Sequence, residues 1–438
     1  MQINTNILQL SDILAKDIID QVDCYHIKSI INNELEFCNK CYRSNLSCNG
    51  TRVILYRDIP IHGKQVGIYL TFQRYKCKSC QATLYQSSSS LDTNHLMTKR
   101  LVDYIVNKAY KTTFTEIALE VGIDEKTVRN VFSNNVDQKL KQLRIETPEI
   151  LGIDEVHLIG KPRCVITNIE QGTIVDMLKT RNKQVLMAYF TTLKDKENIR
   201  IVTMDMWRPY FDVISTIIPH AKVVIDKFHV VKMASEAMES VRKAIRKELT
   251  LKERIQLKND RYLLLKRNYQ LNSMEKLSME SWFVQHKLLG QAYELKEGFY
   301  NIWNCTTKKE AEEAFKIWIK QIPMELVDYF VPIVTTVENW YKPIFNYFTA
   351  RYTNATTEAL NGLIKIMNRD GRGYSFDVLR AKMLLSNGMQ KIHKTRKFSR
   401  IYDDRMMKDL PFERDINYGV SIQKLVQFLE LENTKSTN

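Results

Sequence analysis

Four short stretches of this 438-residue chain place an acid where an apolar run is broken or ends. LGIDEVHL carries Asp154, IRIVTMDMW carries Asp205, AKVVIDKFH carries Asp226 with His229 three positions on, and TTEALNG carries Glu358. Carboxylates are hard oxygen donors. Two-metal phosphodiester chemistry needs several of them converging from different elements on ions roughly 3.5–4 Å apart. Taken singly, each acid reads as a solvated loop residue; taken as a set, Asp154, Asp205 and Glu358 have the type and placement of metal ligands. Asp226 and His229 alone resemble a metal pair, so which acid is the middle ligand depends on the order of the strands.

The elements that must position them follow from patterning. From about residue 149, EILGIDEVHLIG, RCVITNIE and TIVDMLKTR read as three strands joined by tight turns. A helix around QVLMAYFTTL, a strand in IRIVTMD, a helix in WRPYFDVISTII and a strand in AKVVID complete an α/β layout. From 227 to about 350 the chain reads as helix throughout. The segment from TTEALNG onward is a further helix, with Leu360, Leu363, Ile364 and Met367 as its buried face. Glu358, Lys365 and Arg369 share the opposite stripe, an acid with two cations suited to a metal held against a phosphate backbone. Glu155, beside Asp154, is an alternative ligand, although strand neighbours face opposite sides.

Upstream, CNKC (Cys38, Cys41) and CKSC (Cys77, Cys80) are separated by 35 residues. Each C-x-x-C turn puts two thiolates on one zinc ion, and two turns complete a tetrahedral structural site. The separation exceeds the usual ribbon spacing of about 15–20 residues, so a long hairpin turning at HGK must bring the knuckles together. Cys24, Cys48, Cys164 and Cys305 lack partners at ligand spacing and read as buried small residues. In FTEIALEVGIDEKTVRNVF, Ile117, Ala118 and Val121 form one helical face, Gly122 a turn, and Val128, Val131 and Phe132 a second face. This is a helix-turn-helix pattern that offers Lys126, Arg129 and Asn130 to a DNA groove. Lys and Arg outnumber Asp and Glu by 65 to 50, a balance that favours a polyanionic partner. The N-terminus lacks signal-peptide features, and no run of about 18 apolar residues suggests a membrane span. Paired thiols at metal spacing point to a reducing compartment, hence a cytoplasmic protein.

The order CxxC…CxxC, helix-turn-helix, GIDEVHL, MDMWRPY, DKFHVVK and TTEALNGLIKIMNRDGRGY resembles the bacterial insertion-sequence transposases of the ISL-three group. That resemblance implies a DDE enzyme whose RNase H-like catalytic domain, in the α/β class, is interrupted by an all-α insertion and preceded by a zinc ribbon and helix-turn-helix. The expected organisation is an N-terminal helical segment over 1–35, a zinc-binding ribbon over 36–92 and a helix-turn-helix domain over 93–145. The first part of the catalytic core spans 146–230, a helical insertion 231–350, the last part of the core 351–395 and a tail 396–438.

Matched position by position, the family's catalytic acids fall on Asp154, Asp205 and Glu358, which would bind catalytic Mg²⁺ (or Mn²⁺). Asp226 and His229 match an accessory D-x-x-H signature, and Cys38, Cys41, Cys77 and Cys80 hold structural Zn²⁺. The resemblance further implies binding of terminal inverted repeats and target DNA, strand cleavage followed by strand transfer, and at least a homodimer on DNA, associated with the nucleoid. Lys126, Arg129, Asn130, Lys365, Arg369 and Arg372 are the expected DNA contacts. Trp207, next to the middle acid, either stacks on a base or is a buried aromatic. A catalytically silent DNA-binding regulator and a nuclease or resolvase on the same fold are the competing readings.

Overall fold

ILAKDIID and CYHIKSII carry β-branched isoleucines, which suit strands, without a clean alternation of apolar and polar residues. The computed structural model, which describes residues 7–143 and 146–386, pairs these two segments antiparallel as β1 (Ile13–Asp20) and β2 (Cys24–Ile31). The helical segment expected over 1–35 is therefore corrected: Ile13–Asp20 and Cys24–Ile31 are strands, with Ile13, Ala15, Ile27, Ser29 and Ile31 buried and Lys16 and Asp17 left to solvent. β2 then pairs in parallel with β4 (Lys64–Cys77), which forms the long hairpin with β3 (Leu46–Ile61). His62 and Gly63, both at positive φ, make the two-residue turn expected at HGK. β5 (Thr83–Tyr85), β6 (Leu91–Asp92) and β7 (Met97–Thr98) complete a 7-stranded sheet. The N-terminal strands thus belong to the same sheet as the cysteine-bearing hairpin.

Three helices follow: α1 (Lys99–Ala109), α2 (Phe114–Val121) and α3 (Glu125–Gln142). Thr113 and Glu116 form a capping box at the start of α2, Gly122 in the left-handed region ends it, and Asp124 caps α3. Ile117, Ala118, Val121, Val128, Val131 and Phe132 are all buried, as their spacing predicts. The buried Asp58 of β3 accepts hydrogen bonds from Thr98 and Arg100, fastening sheet to helices.

A second sheet has the order β10-β9-β8-β11-β12, with β8 (Ile150–Leu158), β9 (Lys161–Asn168), β10 (Thr173–Leu178), β11 (Ile201–Met204) and β12 (Lys222–Ile225). β9 is antiparallel to both its neighbours, whereas β11 is parallel to β8 and to β12. Renumbered within the sheet this is 3-2-1-4-5, the RNase H-like arrangement. α4 (Lys183–Thr192) and α5 (Arg208–Ile217) make the crossovers. After β12 the chain enters α6 (Lys227–Glu248) and a run of eight more helices, α7 to α14, between Leu251 and Ala350. It returns as α15 (Ala355–Asp370) against β8 and α16 (Phe376–Leu385) against β10. On α15, Leu360 and Ile364 are buried and Met367 is half-buried, but Leu363 is 46% exposed, which corrects its place on the apolar face. The tail expected over 396–438, and the core residues expected from 387 to 395, lie outside the described residues.

Gly152 makes the seating of α15 possible. It lies between Thr167 of β9 and Thr203 of β11, its register partners on either side. A Cβ there would come within 2.5 Å of the hydroxyls of both Thr167 and Thr357, the latter on α15. Gly152→Ala is expected to push α15 off the sheet and destabilise the protein by about 1–3 kcal/mol, measured by denaturant unfolding. An unchanged midpoint would show that α15 is not seated through this notch.

Candidate active site

Parallel strands ending at one edge deliver their last residues to the same place. β11 ends at Met204, and Asp205 follows; β12 ends at Ile225, and Asp226 follows, its N–H donating to the Met204 carbonyl at 3.0 Å. Asp154 is four residues into β8, next to β11, and His229 lies in the first turn of α6. Glu358 occupies the first turn of α15. The sheet therefore brings Asp154, Asp205, Asp226 and Glu358 toward one edge, and His229 with them.

The tightest group is Asp205, Asp226 and His229, whose ligand atoms all lie within 4.8 Å of one another. His229 Nδ1 is 3.1 Å from Asp205 Oδ1 and 3.6 Å from Asp226 Oδ2, but none of these atoms has an aligned hydrogen-bond partner. Buried carboxylate oxygens without a donor raise free energy unless a cation or proton meets them. The charge balance shows the same demand. Burial, followed by the neighbouring charge of Asp154, pushes the Asp205 carboxyl up from 3.8 to about 7. Burial also raises Asp154, opposed by the backbone N–H of Glu155, and raises Glu358, with the Asp226 charge adding to the effect. The Asp226 carboxylate beside the His229 ring raises that imidazole, despite its partial burial. A site of hard oxygens whose own charges repel suits a divalent cation such as Mg²⁺.

Beneath the acids lies a buried polar scaffold that sequence patterning did not identify. Asn354, just before α15, accepts from Thr203 Oγ1 (3.0 Å) and Thr357 Oγ1 (3.0 Å), and its Nδ2 donates to the Ile153 carbonyl (3.1 Å). Its backbone N–H points to Asp226 Oδ1 at 3.4 Å, and its carbonyl accepts from the Glu358 N–H at 2.9 Å. Thr357 also meets Thr167 at 2.7 Å. One turn on, Asn361 Nδ2 donates to Asp154 Oδ2 at 2.8 Å while its Oδ1 is buried without a partner. A signal existed: Thr203 and Gly152 stand two residues before Asp205 and Asp154, on the same strand faces as those acids. Glu155 faces away and is taken up by Arg181 and His157, so it does not join the cluster.

The expected DNA contacts divide. Lys126, Asn130, Lys365, Arg369 and Arg372 are exposed. Arg129 is only partly so, since it pairs with Glu125 and lies 5.6 Å over the Phe114 ring. Trp207 is 38% exposed, and the Arg181 guanidinium sits 4.2 Å from its ring centroid.

Cys38 Sγ lies 3.6 Å from Cys80 Sγ, and Cys41 Sγ 3.6 Å from Cys77 Sγ; all four sulfurs are within 4.8 Å of one another. Four thiolates about 2.3 Å from one zinc would stand about 3.8 Å apart, whereas a disulfide requires about 2.05 Å. The set fits zinc. The N–H of Cys80, then burial opposing it and the N–H of Ser79, leave the Cys77 thiol at about 6, poised as thiolate. Of the other cysteines, Cys164 is buried, Cys24 and Cys305 are intermediate, and Cys48 is exposed beside a register shift in the β3–β4 pair, which corrects the buried reading for Cys48.

Two outcomes follow. Because the folded carboxyl of Asp205 titrates above its unfolded value, the folded metal-free protein holds a proton that the unfolded chain releases between about pH 4 and pH 7. Asp154, Glu358 and His229 shift the same way, so with zinc retained and Mg²⁺ withheld the Tm should fall as pH rises from about 5 to about 7. Asp205→Asn should flatten that slope and Mg²⁺ should restore Tm most at the alkaline end; a rising slope would contradict the assignment. Separately, purified protein should carry one zinc per chain by atomic absorption. Cys77→Ser should lose it along with thermal stability, and retention of full zinc by that variant would exclude Cys77 as a ligand.

With this geometry in place, comparison with known proteins is specific. A family model described as a transposase, of the ISL-three group, matches residues 151–383, which contain all the acids. A second, described as the zinc-finger of transposases IS204, IS1001, IS1096 and IS1165, matches residues 34–80 and so spans all four clustered cysteines. The transposase for insertion sequence element IS1001 from Bordetella parapertussis is 21% identical over 344 residues, covering 77% of this chain and 85% of that protein. Seated on an RNase H-like sheet behind a four-cysteine ribbon, the chain belongs to the ISL-three group of transposases.

Proposed function

We propose that the chain is a DDE-type enzyme that binds the terminal inverted repeats of an insertion sequence, cuts DNA at the element's ends and joins the freed 3′-OH to target DNA. The observation that carries this reading is the convergence of Asp154, Asp205 and Glu358, with Asp226 and His229, at one edge of the sheet. Both steps are phosphoryl transfers in which protein groups supply position and charge, with no covalent enzyme intermediate.

Asp154, Asp205 and Glu358 are assigned as the residues that hold Mg²⁺ or Mn²⁺, with Asp226 and His229 beside them. When bound, the metal supplies Lewis-acid stabilisation and lowers the pKa of water. The chain's own groups prepare the site. Asn361 fixes one oxygen of Asp154, and Asn354 ties the start of α15 to the strand ends, so that Glu358 keeps its place. Asp205, its carboxyl raised to about 7, would have to be ionised to hold the metal, so occupancy would favour neutral to alkaline pH. Lys365, Arg369 and Arg372, along and just past α15, are assigned to DNA phosphates; Lys126 and Asn130 on α3 are assigned to the terminal repeat. Arg129, held by Glu125 and Phe114, orients α3 as well as adding charge. Pairing of two element ends implies a homodimer or larger assembly on DNA.

The test is a strand-transfer assay with DNA ends from the repeats flanking the gene, in Mg²⁺. Asp154→Ala, Asp205→Ala and Glu358→Ala should each lower cutting and joining by roughly 10²–10³-fold or more, with end binding retained in gel-shift. Cutting without joining in the wild type would make the protein a nuclease. If Asp205→Ala joined ends normally while Asp226→Ala did not, Asp226 would be the middle acid.

A further inference from the structure

A cleft of about 520 Å³ opens on the same sheet edge as the acids, lined by Lys161, Lys179, Arg181, Lys183, Trp207 and Pro209 among others. Lys161 begins β9, Lys179 follows the end of β10, and Trp207 stands two residues beyond Asp205, so strand direction sets the cleft beside the acid cluster. No acid lines it. Arg181 is held by the half-buried Glu155, while the two lysines have solvent-facing partners outside the cleft, Lys179 with Asp377 and Lys183 with Asp212, both at 3.0 Å. Such surface pairs hold weakly and yield to a stronger anion.

Two features independent of the side-chain charge point to the ligand. The N-termini of α4 and α5, at Asn182 and Trp207, both border the cleft, and neither has a side-chain cap. Uncapped helix N-termini favour an anion, phosphate above all. Trp207 offers a large half-exposed ring, with Arg181 stacked on it, a combination that holds a nucleobase. A phosphate-binding rim and an aromatic wall in one nucleotide-sized cleft match neither free phosphate nor a duplex, whose bases are stacked on each other.

We infer that this cleft receives one unpaired nucleotide of the DNA strand, its base against Trp207 and Arg181 and its phosphate toward Lys179, Lys183 and the start of α4. The inference rests on the DNA-processing reading for its substrate, yet it is testable without catalysis. Full-length protein in metal-free buffer is titrated with three duplexes: fully paired, with one unpaired nucleotide, and with an abasic site at that position. The wild type should bind the unpaired base about 5- to 100-fold more tightly than either control. Trp207→Ala should abolish the preference and Trp207→Phe should keep most of it. Lys179→Glu with Lys183→Glu should weaken all three complexes and reduce the salt slope by about 2.

A deoxynucleoside monophosphate should compete for the cleft better than inorganic phosphate. Equal binding of all three duplexes by the wild type, an undiminished preference in Trp207→Ala, or equal competition by phosphate would overturn the assignment. Loss of cutting by Asp154→Ala has no bearing on these affinities, so failure of the catalytic reading and failure of the cleft are separate results.

Discussion

Mutual repulsion among carboxylates governs the second half of this molecule. Asp154, Asp205, Asp226 and Glu358 are gathered at one sheet edge, and Asp154 and Asp226 are almost wholly shielded from water. Like charges in such a place cannot all be ionised without a counter-charge. The raised carboxyl of Asp205, the protonation-prone His229 and the oxygens without donors are three expressions of that single constraint. A fold that kept such a cluster for stability alone would be at a disadvantage against one with apolar residues there. The cluster therefore has the donor set that the proposed metal-binding role calls for.

Holding the acids close falls to groups that never touch a substrate. Gly152 leaves a notch, Thr167 and Thr203 line it, and Thr357 and Asn354 fill it with matched donors and acceptors. Because the scaffold is buried and satisfied, it fixes one arrangement of α15 on the sheet. Between Asp226 and Asn354 the chain makes a long helical excursion, yet Asn346 bonds to the Val223 carbonyl and Lys227 to the Tyr347 hydroxyl, returning the chain to its starting strand. The insertion also shares its apolar core with the sheet, so it buttresses the site that it interrupts.

The front half is joined to this site by packing as much as by chain. Residues of α1, α2 and α3 share one buried cluster with Val156 and Leu158 of β8, Ile364 of α15 and Leu379 of α16. Lys382, buried and held to about 8 by desolvation, donates to the Thr112 carbonyl and the Tyr374 hydroxyl, and Phe114 packs on Tyr374 at 5.1 Å. On the proposed reading, this shared core ties the distance between the groove-reading helix and the acids to the interior of the protein, in place of a linker.

Much of this was legible in the sequence, for local reasons. The C-x-x-C pairs, the glycine between two helical faces, the first three strands of the second sheet and the alternation of α4, β11, α5 and β12 follow from periodicity and turn chemistry. So does the presence of acids at strand ends. Local pattern failed at the N-terminus, where two short segments are strands because β4 pairs with β2 and β2 with β1, and at Leu363, where amphipathic spacing does not say how wide the covered stripe is. Sequence alone also left open how Asp205, Asp226 and His229 stand to one another. That depended on two strands far apart in purpose but adjacent and parallel in space, and on a glycine whose missing Cβ matters only once α15 lies over it. Residue type determines what chemistry is available; distance between groups remote in the chain is set by packing, and packing alone brought the ligand atoms of Asp205, Asp226 and His229 within 4.8 Å of one another.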